Sequence, residues 1–312
     1  MPVLPPASPS SSPSSSPPVL PPALPPIRSS RRPLPSPRRR ALRRLAAVFA
    51  LCSIGVLGTL AARPAHADER VLRVGVTSGP HEEIFEAAKR VAERDYGLHI
   101  KTVAFSDYIA PDAALDSGDL DANSYQHRPF LNAQIRARGY HLVGLGRTWI
   151  GPIGLYSKKY RTFAALPEHA TIGIPNDPAN ESRTLLLLQK AGAIKLRSGI
   201  DPVSGINATP RDIVENPKQF RFTEIDAAQL PRTLDDFDAT TVNADYAIKA
   251  GLQPGRDTIL VEDGSTVYAC LIAVREKDAN QPWVKQLVAA YQSPEVKQFI
   301  LTHYRGAIIP AF

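Results

Sequence analysis

The stretch VLRVGVTSGPHEEIFEAAKRVAERDYG, residues 71–97, joins a strand pattern to a helix pattern. Its first six residues are mostly β-branched or aliphatic and predict a strand. Pro80 then stands where a helix begins, Ile84 and Val91 share one helical face, and Gly97 marks the helix end. Residues 71–97 therefore predict one β-α unit.

The same alternation continues to the end of the chain and predicts an α/β fold with mostly parallel sheets. The pattern restarts at Thr171, so a second lobe is expected to begin near residue 160. Further strand patterns cover 98–105, 141–150, 171–175, 220–225, 238–242, 258–262 and 268–275. Further helix patterns cover 110–119, 182–191, 283–291 and 294–304.

The first 67 residues differ from the rest in composition. Residues 1–37 are almost wholly Pro, Ser, Leu, Ala and Arg, which predicts a disordered lead. Residues 38–67 combine basic residues, an apolar run and the small-residue motif AHA, which predicts a secretory signal cleaved after Ala67. Export by the Sec route and export by the twin-arginine route, for which RRRALR is a loose match, both fit.

Charge and cysteine usage change once this leader is removed. Residues 1–67 hold nine Arg and no acidic residue, so 28 basic residues face 30 acidic ones in the remainder. A nucleic-acid partner is therefore not expected. Only Cys270 remains after cleavage, which excludes an intramolecular disulfide. Cys52 follows the bulky Leu51 rather than a small residue, so lipoprotein anchoring is disfavoured.

Metal binding and nucleophilic catalysis are two functions that the polar residues of the chain could serve. Asp119, Asp121 and His127 are candidate metal ligands, but the chain lacks the paired His or Cys spacing of zinc sites. Solvated turn carboxylates are the favoured interpretation, and no metal or cofactor is expected. Cys270 with His127 is a candidate nucleophile pair, although the apolar run YACLIAV favours a buried, inert thiol.

A binding pocket explains the same region with fewer assumptions. Tyr108, Tyr125 and Phe130 offer polarizable aromatic surface that suits a thioether or an aliphatic chain. Arg183, near the start of a predicted helix, can bind a carboxylate with its planar fork of donors. The neutral polar groups expected beside them belong to Asn180 and Asn243.

An internal similarity links the two lobes. GDLDANSYQ (118–126) and DDFDATTVN (235–243) share an apolar residue, Asp and Ala in the same order. Two strands ending at a common crevice would place Tyr125, His127 and Asn243 opposite one another. The alternative is coincidence, because Asp is common in turns.

Seven sequence blocks carry a family resemblance: FSDY, GDLDANSYQHRPFL, YSKK, IPNDPANESRTLLLLQKAG, VENPK, LPRTLDDFDATTVNADYA and IIPAF. From Val71 to Phe312 the chain resembles the methionine-binding (NlpA/MetQ-type) substrate-binding proteins of bacterial ABC importers. The resemblance implies a two-lobed periplasmic binding protein fold (type II), each lobe a mixed, mostly parallel sheet flanked by helices. Lobe 1 would comprise 68–157 and 268–312, and lobe 2 would comprise 158–267.

The resemblance also implies a function. The chain is expected to be a monomeric periplasmic protein, not an enzyme, that binds L- or D-methionine and delivers it to an ABC permease and its ATPase. The implied ligand residues are Tyr108, Tyr125, His127, Phe130, Asn180, Arg183, Asn243 and Cys270.

Two departures from the family pattern qualify this expectation. Cys270 stands where the family has Asn, so another amino acid or a methionine dipeptide is the alternative ligand, and a Cys270-dependent enzyme is the remote alternative. The signal ends in AHAD rather than in a lipid-attachment cysteine, which predicts a free periplasmic protein.

Overall fold

The computed structural model describes residues 70–264 and 266–312. Within these residues the helices are α1 (Pro80–Tyr96), α2 (Ala110–Ser117), α3 (Arg128–Arg138), α4 (Pro178–Lys190), α5 (Ala244–Lys249), α6 (Pro282–Tyr291) and α7 (Pro294–Tyr304). The strands are β1 (Val71–Thr77), β2 (His99–Phe105), β3 (Ala122–His127), β4 (Leu142–Arg147), β5 (Trp149–Ile150), β6 (Gly154–Tyr156), β7 (Thr171–Pro175), β8 (Lys195–Leu196), β9 (Ile213–Glu215), β10 (Arg221–Ile225), β11 (Ala239–Val242), β12 (Thr258–Val261), β13 (Cys270–Arg275) and β14 (Ile309–Pro310). Short 3-10 helices cover Phe163–Ala165, Pro210–Asp212, Leu230–Thr233, Thr266–Tyr268 and Glu276–Asp278.

Two five-stranded sheets organise these elements. The first sheet has the order β2-β1-β3-β13-β4, and the second has the order β10-β7-β11-β6-β12. In the first sheet only β13 is antiparallel to its neighbours, and in the second sheet only β6 is. Four of five strands in each sheet therefore share one direction, as the α/β pattern predicted. Two-stranded pairs, β14-β5 and β8-β9, and an isolated bridge between Asp201 and Ile206 add to these sheets.

The chain passes between the sheets twice. We call residues 70–147 and 270–312 the first half, residues 154–261 the second half, and 148–153 and 262–269 the first and second crossings. β6 pairs with β11 and β12 and therefore belongs to the second sheet, although it lies just before the lobe boundary predicted after residue 157.

The two similar sequence segments occupy equivalent structural positions. The Asp121 carboxylate accepts a hydrogen bond from the Arg73 backbone N at 2.8 Å, and the Asp121 N donates to the Arg73 O at 2.8 Å. The Asp238 carboxylate accepts from the Thr171 N at 2.8 Å, and the Asp238 N donates to the Thr171 O at 3.0 Å. Each Asp thus ties the strand that follows it to a parallel neighbour in its sheet, β3 to β1 and β11 to β7. The similarity is a structural repeat, not a coincidence of turn residues.

Each sheet has its own apolar core. In the first half, α1 packs against α6 and α7, and Phe85 and Tyr291 are fully buried between them. In the second half, Ile172 of β7 and Leu185 of α4 belong to a separate cluster. These two cores hold the carboxyl ends of the parallel strands toward the same region.

Local structure departs from the sequence patterns at several places. The strand predicted over 141–150 is divided at Thr148 into β4 and β5, and the Thr148 N donates to the Cys270 O at 2.8 Å. Helices α3 and α5 were not predicted. Among the described helices, none is long and apolar enough to cross a membrane.

Candidate functional site

A cavity lies where the two halves meet, and the space in and around it, open solvent included, is about 380 Å³. Its polar lining comes from the carboxyl ends of β3 and β11 and from the start of α4. These are the positions at which α/β sheets usually bind ligands. The structure brings together all eight candidate residues on this lining: Tyr108, Tyr125, His127, Phe130, Asn180, Arg183, Asn243 and Cys270.

Three aromatic rings form one wall of the cavity. The ring centroid of Tyr108 lies 6.0 Å from that of Tyr125 and 5.9 Å from that of Phe130, and the Tyr125 and Phe130 rings meet edge to face. The Tyr125 hydroxyl donates to the Tyr108 backbone O at 2.8 Å, which holds the Tyr125 ring in place. Ala179 of α4 packs against this wall from the second half. The wall is apolar and offers polarizable surface.

His127 connects the wall to the polar side of the cavity. Its Nδ1 accepts a hydrogen bond from the Phe130 N at 3.2 Å and thereby caps α3, so the ring proton resides on Nε2. That Nε2 lies 3.2 Å from the Asn180 Oδ1 and donates to it. Burial, reinforced by the positive charge of Arg183, lowers the pKa of His127 to about 3. His127 is therefore neutral at physiological pH.

Two asparagines continue this network. The Asn180 Oδ1 accepts a second hydrogen bond from the Asn243 Nδ2 at 2.9 Å. The Asn180 side-chain N donates to the carboxylate of Asp177, which also caps α4 by accepting from the Asn180 backbone N at 2.9 Å. The Asn243 Oδ1 is buried and has no hydrogen-bond partner among the described residues. The network therefore leaves one acceptor free at the cavity.

Arg183 is paired within the protein, contrary to the expectation of a free fork. Its Nε lies 3.1 Å from each carboxylate oxygen of Glu262, its Nη2 also pairs with Glu262, and its Nη2 donates to the Gly151 O at 2.9 Å. Burial opposes the charged form, but Glu262 outweighs it and raises the pKa of Arg183. Within residues 70–264 and 266–312, Nη1 donates no hydrogen bond. A ligand carboxylate would meet Nη1 alone, because Glu262 already occupies the Nε side of the fork.

The two crossings are held together by this same arginine. Gly151 belongs to the first crossing and Glu262 to the second, and the Glu262 N donates to the Ile153 O at 3.1 Å. A side chain at Gly151 would place its Cβ 2.6 Å from the Ala244 Cβ, which only glycine avoids. The guanidinium carbon of Arg183 lies 4.2 Å from the ring centroid of Tyr268, which also belongs to the second crossing.

Cys270 lies directly opposite His127 in the pairing of β13 with β3. It is 7% exposed, and its Sγ lies 4.0 Å from the Tyr125 backbone O. Burial raises the pKa of the Cys270 thiol. The Nε2 of His127 is committed to Asn180, so the histidine is not placed to take a proton from the thiol. The geometry offers no activation of Cys270 as a nucleophile.

The candidate metal ligands do not form a common site. His127 lines the cavity, whereas Asp121 forms ion pairs with Arg70 at 2.7 Å and with Arg275 at 3.6 Å. In the part of the chain that the structure describes, no group of three or more His, Cys, Asp or Glu side chains is arranged to hold a metal ion.

Sequence reasoning missed several lining residues. The His81 ring packs against Trp149 at a tilt of 44°, with ring centroids 4.4 Å apart, and burial lowers the pKa of His81 to about 3. The Asp245 carboxylate accepts from the Tyr108 hydroxyl, and burial raises the pKa of Asp245. His81 follows the carboxyl end of β1 and Asp245 follows that of β11. Because ligands bind at the carboxyl ends of parallel strands, this position could have identified both residues from the sequence. The remaining lining residues are Gln126, Gly151, Ala244 and Tyr268.

Known proteins resemble the chain over most of this structure. The family model described as NlpA lipoprotein matches residues 72–312. A nutrient binding protein from Burkholderia cenocepacia, solved bound to methionine, is 52% identical with a TM-score of 0.75, covering 77% of this chain and all of that chain. An ABC transporter periplasmic substrate-binding protein from Coxiella burnetii is 47% identical with a TM-score of 0.73, covering 77% of this chain and 99% of its own. The D-methionine-binding lipoprotein MetQ of Salmonella typhimurium is 42% identical, covering 85% of this chain and 96% of its own.

These relatives are binding proteins, which confirms the expectation of a binding protein rather than an enzyme and confirms the type II fold class. The word lipoprotein in the family description and in the Salmonella name gives no support to the predicted free periplasmic form. The predicted lead and signal, residues 1–67 including Cys52, lie outside the described residues. A model match over 241 residues and identities above 40% show that the chain belongs to the NlpA lipoprotein family.

Proposed function

We propose that the protein binds an amino acid, with methionine as the first candidate, and delivers it from the periplasm to an ABC permease and its ATPase. The observation that carries this proposal is the single cavity on which all eight candidate residues meet. The methionine bound to the Burkholderia cenocepacia relative and the D-methionine of the Salmonella name support the choice of ligand.

The cavity provides complementary surfaces for such a ligand. The ligand carboxylate would accept from the Nη1 of Arg183, the donor that Glu262 leaves free. The thioether side chain would lie along Tyr108, Tyr125 and Phe130, because sulfur makes favourable contacts at about 5 Å from aromatic rings. Neutral His127 would pack against the ligand without adding charge.

Closure of two lobes around the ligand is the mechanism that the contacts support. His127 of the first half donates to Asn180 of the second half, and the Tyr108 hydroxyl donates to Asp245 across the same boundary. A ligand that touches both halves would favour the closed form in proportion to its extra contacts there. The lobes of this proposal are the two halves joined by the crossings, and no covalent step is required.

Cys270 supports an alternative ligand. A thiol is only a weak donor and acceptor, whereas a carboxamide at this position would offer two donors and an acceptor. Another amino acid or a methionine dipeptide is therefore the second candidate.

The route to the periplasm is part of the proposal. Export would depend on the signal at residues 38–67, with cleavage after Ala67 giving a free, monomeric protein. Mass spectrometry of the protein isolated from its native envelope separates the possibilities. A free amino terminus at Asp68 supports the proposal, whereas a lipid-modified Cys52 shows anchoring instead.

A binding screen tests the proposed ligand. The protein comprising residues 68–312 would be unfolded and refolded to remove bound ligand, then screened by thermal shift and calorimetry against L- and D-amino acids and methionine dipeptides. Saturating ligand raises the melting temperature through its preference for the folded state. Submicromolar binding of methionine is expected. A response to a different compound would select the second candidate, and no response to any of them would overturn the proposal.

A further inference from the structure

Two tyrosines, one from each half, pack on each other beside the cavity. Tyr108 follows β2 in the first half, and Tyr246 lies in α5 of the second half. Their ring centroids are 4.7 Å apart, and the ring planes are tilted by 37°. Tyr108 lines the cavity but Tyr246 does not, so Tyr246 has no part in the proposed ligand contacts.

Each hydroxyl of this pair is bonded across the boundary between the halves. The Tyr108 hydroxyl donates to the Asp245 carboxylate at 2.7 and 2.8 Å. The Tyr246 hydroxyl donates to the Ser106 backbone O at 3.3 Å. One bond thus runs from the first half to the second, and the other runs back. Both bonds and the ring contact have to break when the halves move apart.

Tyr108 also joins two apolar clusters. On one side it packs against Tyr125 and Phe130 of the cavity wall. On the other side it packs against a cluster that contains Tyr246 and Leu230 and whose remaining described members all belong to the second half. Separation of the halves would expose apolar surface on both sides of this contact, which is unfavourable in water.

The two rings separate the cavity from a groove on the protein surface. Residues of both halves line the groove, among them Ser106 and Tyr246. Tyr108 lines the cavity and not the groove, whereas Tyr246 lines the groove and not the cavity. Gly151 and Tyr268, which belong to the two crossings, line another part of the cavity, where the chain itself joins the halves. The ring pair therefore lies at a boundary that can open.

We propose that Tyr246 is a positioning residue that holds Tyr108 over the bound ligand and thereby sets the rate at which the ligand leaves. This inference rests on the proposed function, in which a ligand occupies the cavity. The ring contact exists when the halves are together, so it stabilises the closed complex and not the open protein that a ligand first meets. Loss of Tyr246 therefore accelerates dissociation much more than it changes association.

Two measurements on the refolded protein test the inference. Exchange of bound radiolabelled methionine for unlabelled methionine gives the dissociation rate, and calorimetry gives the dissociation constant. The two values together give the association rate. If the ligand screen selects another amino acid, that compound is labelled and used in the same way.

Tyr246→Leu keeps apolar volume in the second-half cluster but removes the ring and the hydroxyl. Loss of an aromatic pair and a hydrogen bond is expected to speed dissociation about tenfold or more and to change association less than about threefold. Tyr246→Phe retains the ring, so its dissociation rate is expected to stay within about threefold of the wild-type rate.

Tyr156→Leu is the matched control. Tyr156 of β6 is buried in the same cluster but lines neither the cavity nor the groove. This variant is expected to lower the Tm and to keep the wild-type dissociation rate. A wild-type rate in Tyr246→Leu overturns the inference, and so does an equal acceleration in Tyr156→Leu.

Hydrogen exchange of the wild-type protein provides a second test if Tyr246→Leu does not fold. Saturating ligand is expected to slow amide exchange in residues 106–110 and 244–250, which carry the two rings, and unchanged exchange in both segments overturns the inference. These outcomes are distinct from failure of the proposed function. Tight binding with an unchanged rate in Tyr246→Leu overturns the role of Tyr246 alone, whereas absence of binding by every amino acid overturns the proposed function and this inference with it.

Discussion

Glu262→Gln is the substitution that most directly tests how Arg183 is held. The two side chains are 3% and 10% exposed, and glutamine keeps an acceptor while it removes the negative charge. Removing one partner of a buried ion pair costs about 3–5 kcal/mol. Because glutamine can still accept a hydrogen bond, we expect the free energy of unfolding to fall by about 3 kcal/mol, the lower end of this range. For a chain of this size that corresponds to a fall in Tm of about 6–12 °C.

Ligand should reverse part of this loss. A bound carboxylate supplies a negative charge beside Arg183, so saturating methionine is expected to raise the Tm of Glu262→Gln by more than it raises that of the wild type. Thermal unfolding with and without methionine measures both effects. Asp263→Asn is the control, since Asp263 pairs with Lys190 on the surface, where the side chains are 66% and 65% exposed. A Tm loss in Glu262→Gln no larger than in this control would refute the reasoning.

Three further predictions concern other parts of the molecule. Arg136 of α3 donates to backbone carbonyls of a loop in the second half, so Arg136→Ala should weaken methionine binding about fivefold in calorimetry, whereas Arg138→Ala on the same helix should not. His81 and His127 are neutral in the folded protein, where burial lowers their pKa to about 3, but they take up protons below pH ~6.5 in the unfolded protein. As the pH is lowered from ~6.5 to ~3, each histidine should therefore reduce the free energy of unfolding, measured by urea titration, by up to about 1.4 kcal/mol per pH unit. A free energy of unfolding that does not change over this pH range would contradict their burial. Cys270 should resist thiol reagents in the native protein at pH 8 and react fully in guanidinium, and rapid native labelling would contradict its burial and raised pKa.

Local signals explain why some elements could be predicted and others could not. The strand predicted at 171–175 follows a rule that depends only on neighbouring residues, and it is present as β7. Helix α3 escaped prediction because its cap is His127, whose side chain replaces the Ser, Thr, Asp or Asn that usually marks a helix start.

In the site, too, features that depend on neighbouring residues could be predicted, whereas contacts between residues far apart in the sequence could not. Arg183 could be selected from its place near a helix start, but its partner Glu262 is 79 residues away on the second crossing. Asp245 is a single carboxylate without a motif, and such residues are usually exposed. Only the fold reveals that both carboxylates are buried beside the cavity.

The position of β13 has a consequence for the order in which the protein folds. Every strand of the second sheet lies in the continuous segment 154–261, whereas the first sheet receives β13 only after that segment has been made. β4 pairs in that sheet with β13 alone, so it waits more than a hundred residues for its neighbour. Because the chain is synthesised amino terminus first, the second half can complete its sheet while the first half is still open. The cavity needs Cys270 of β13, so it cannot be complete until that strand has been added.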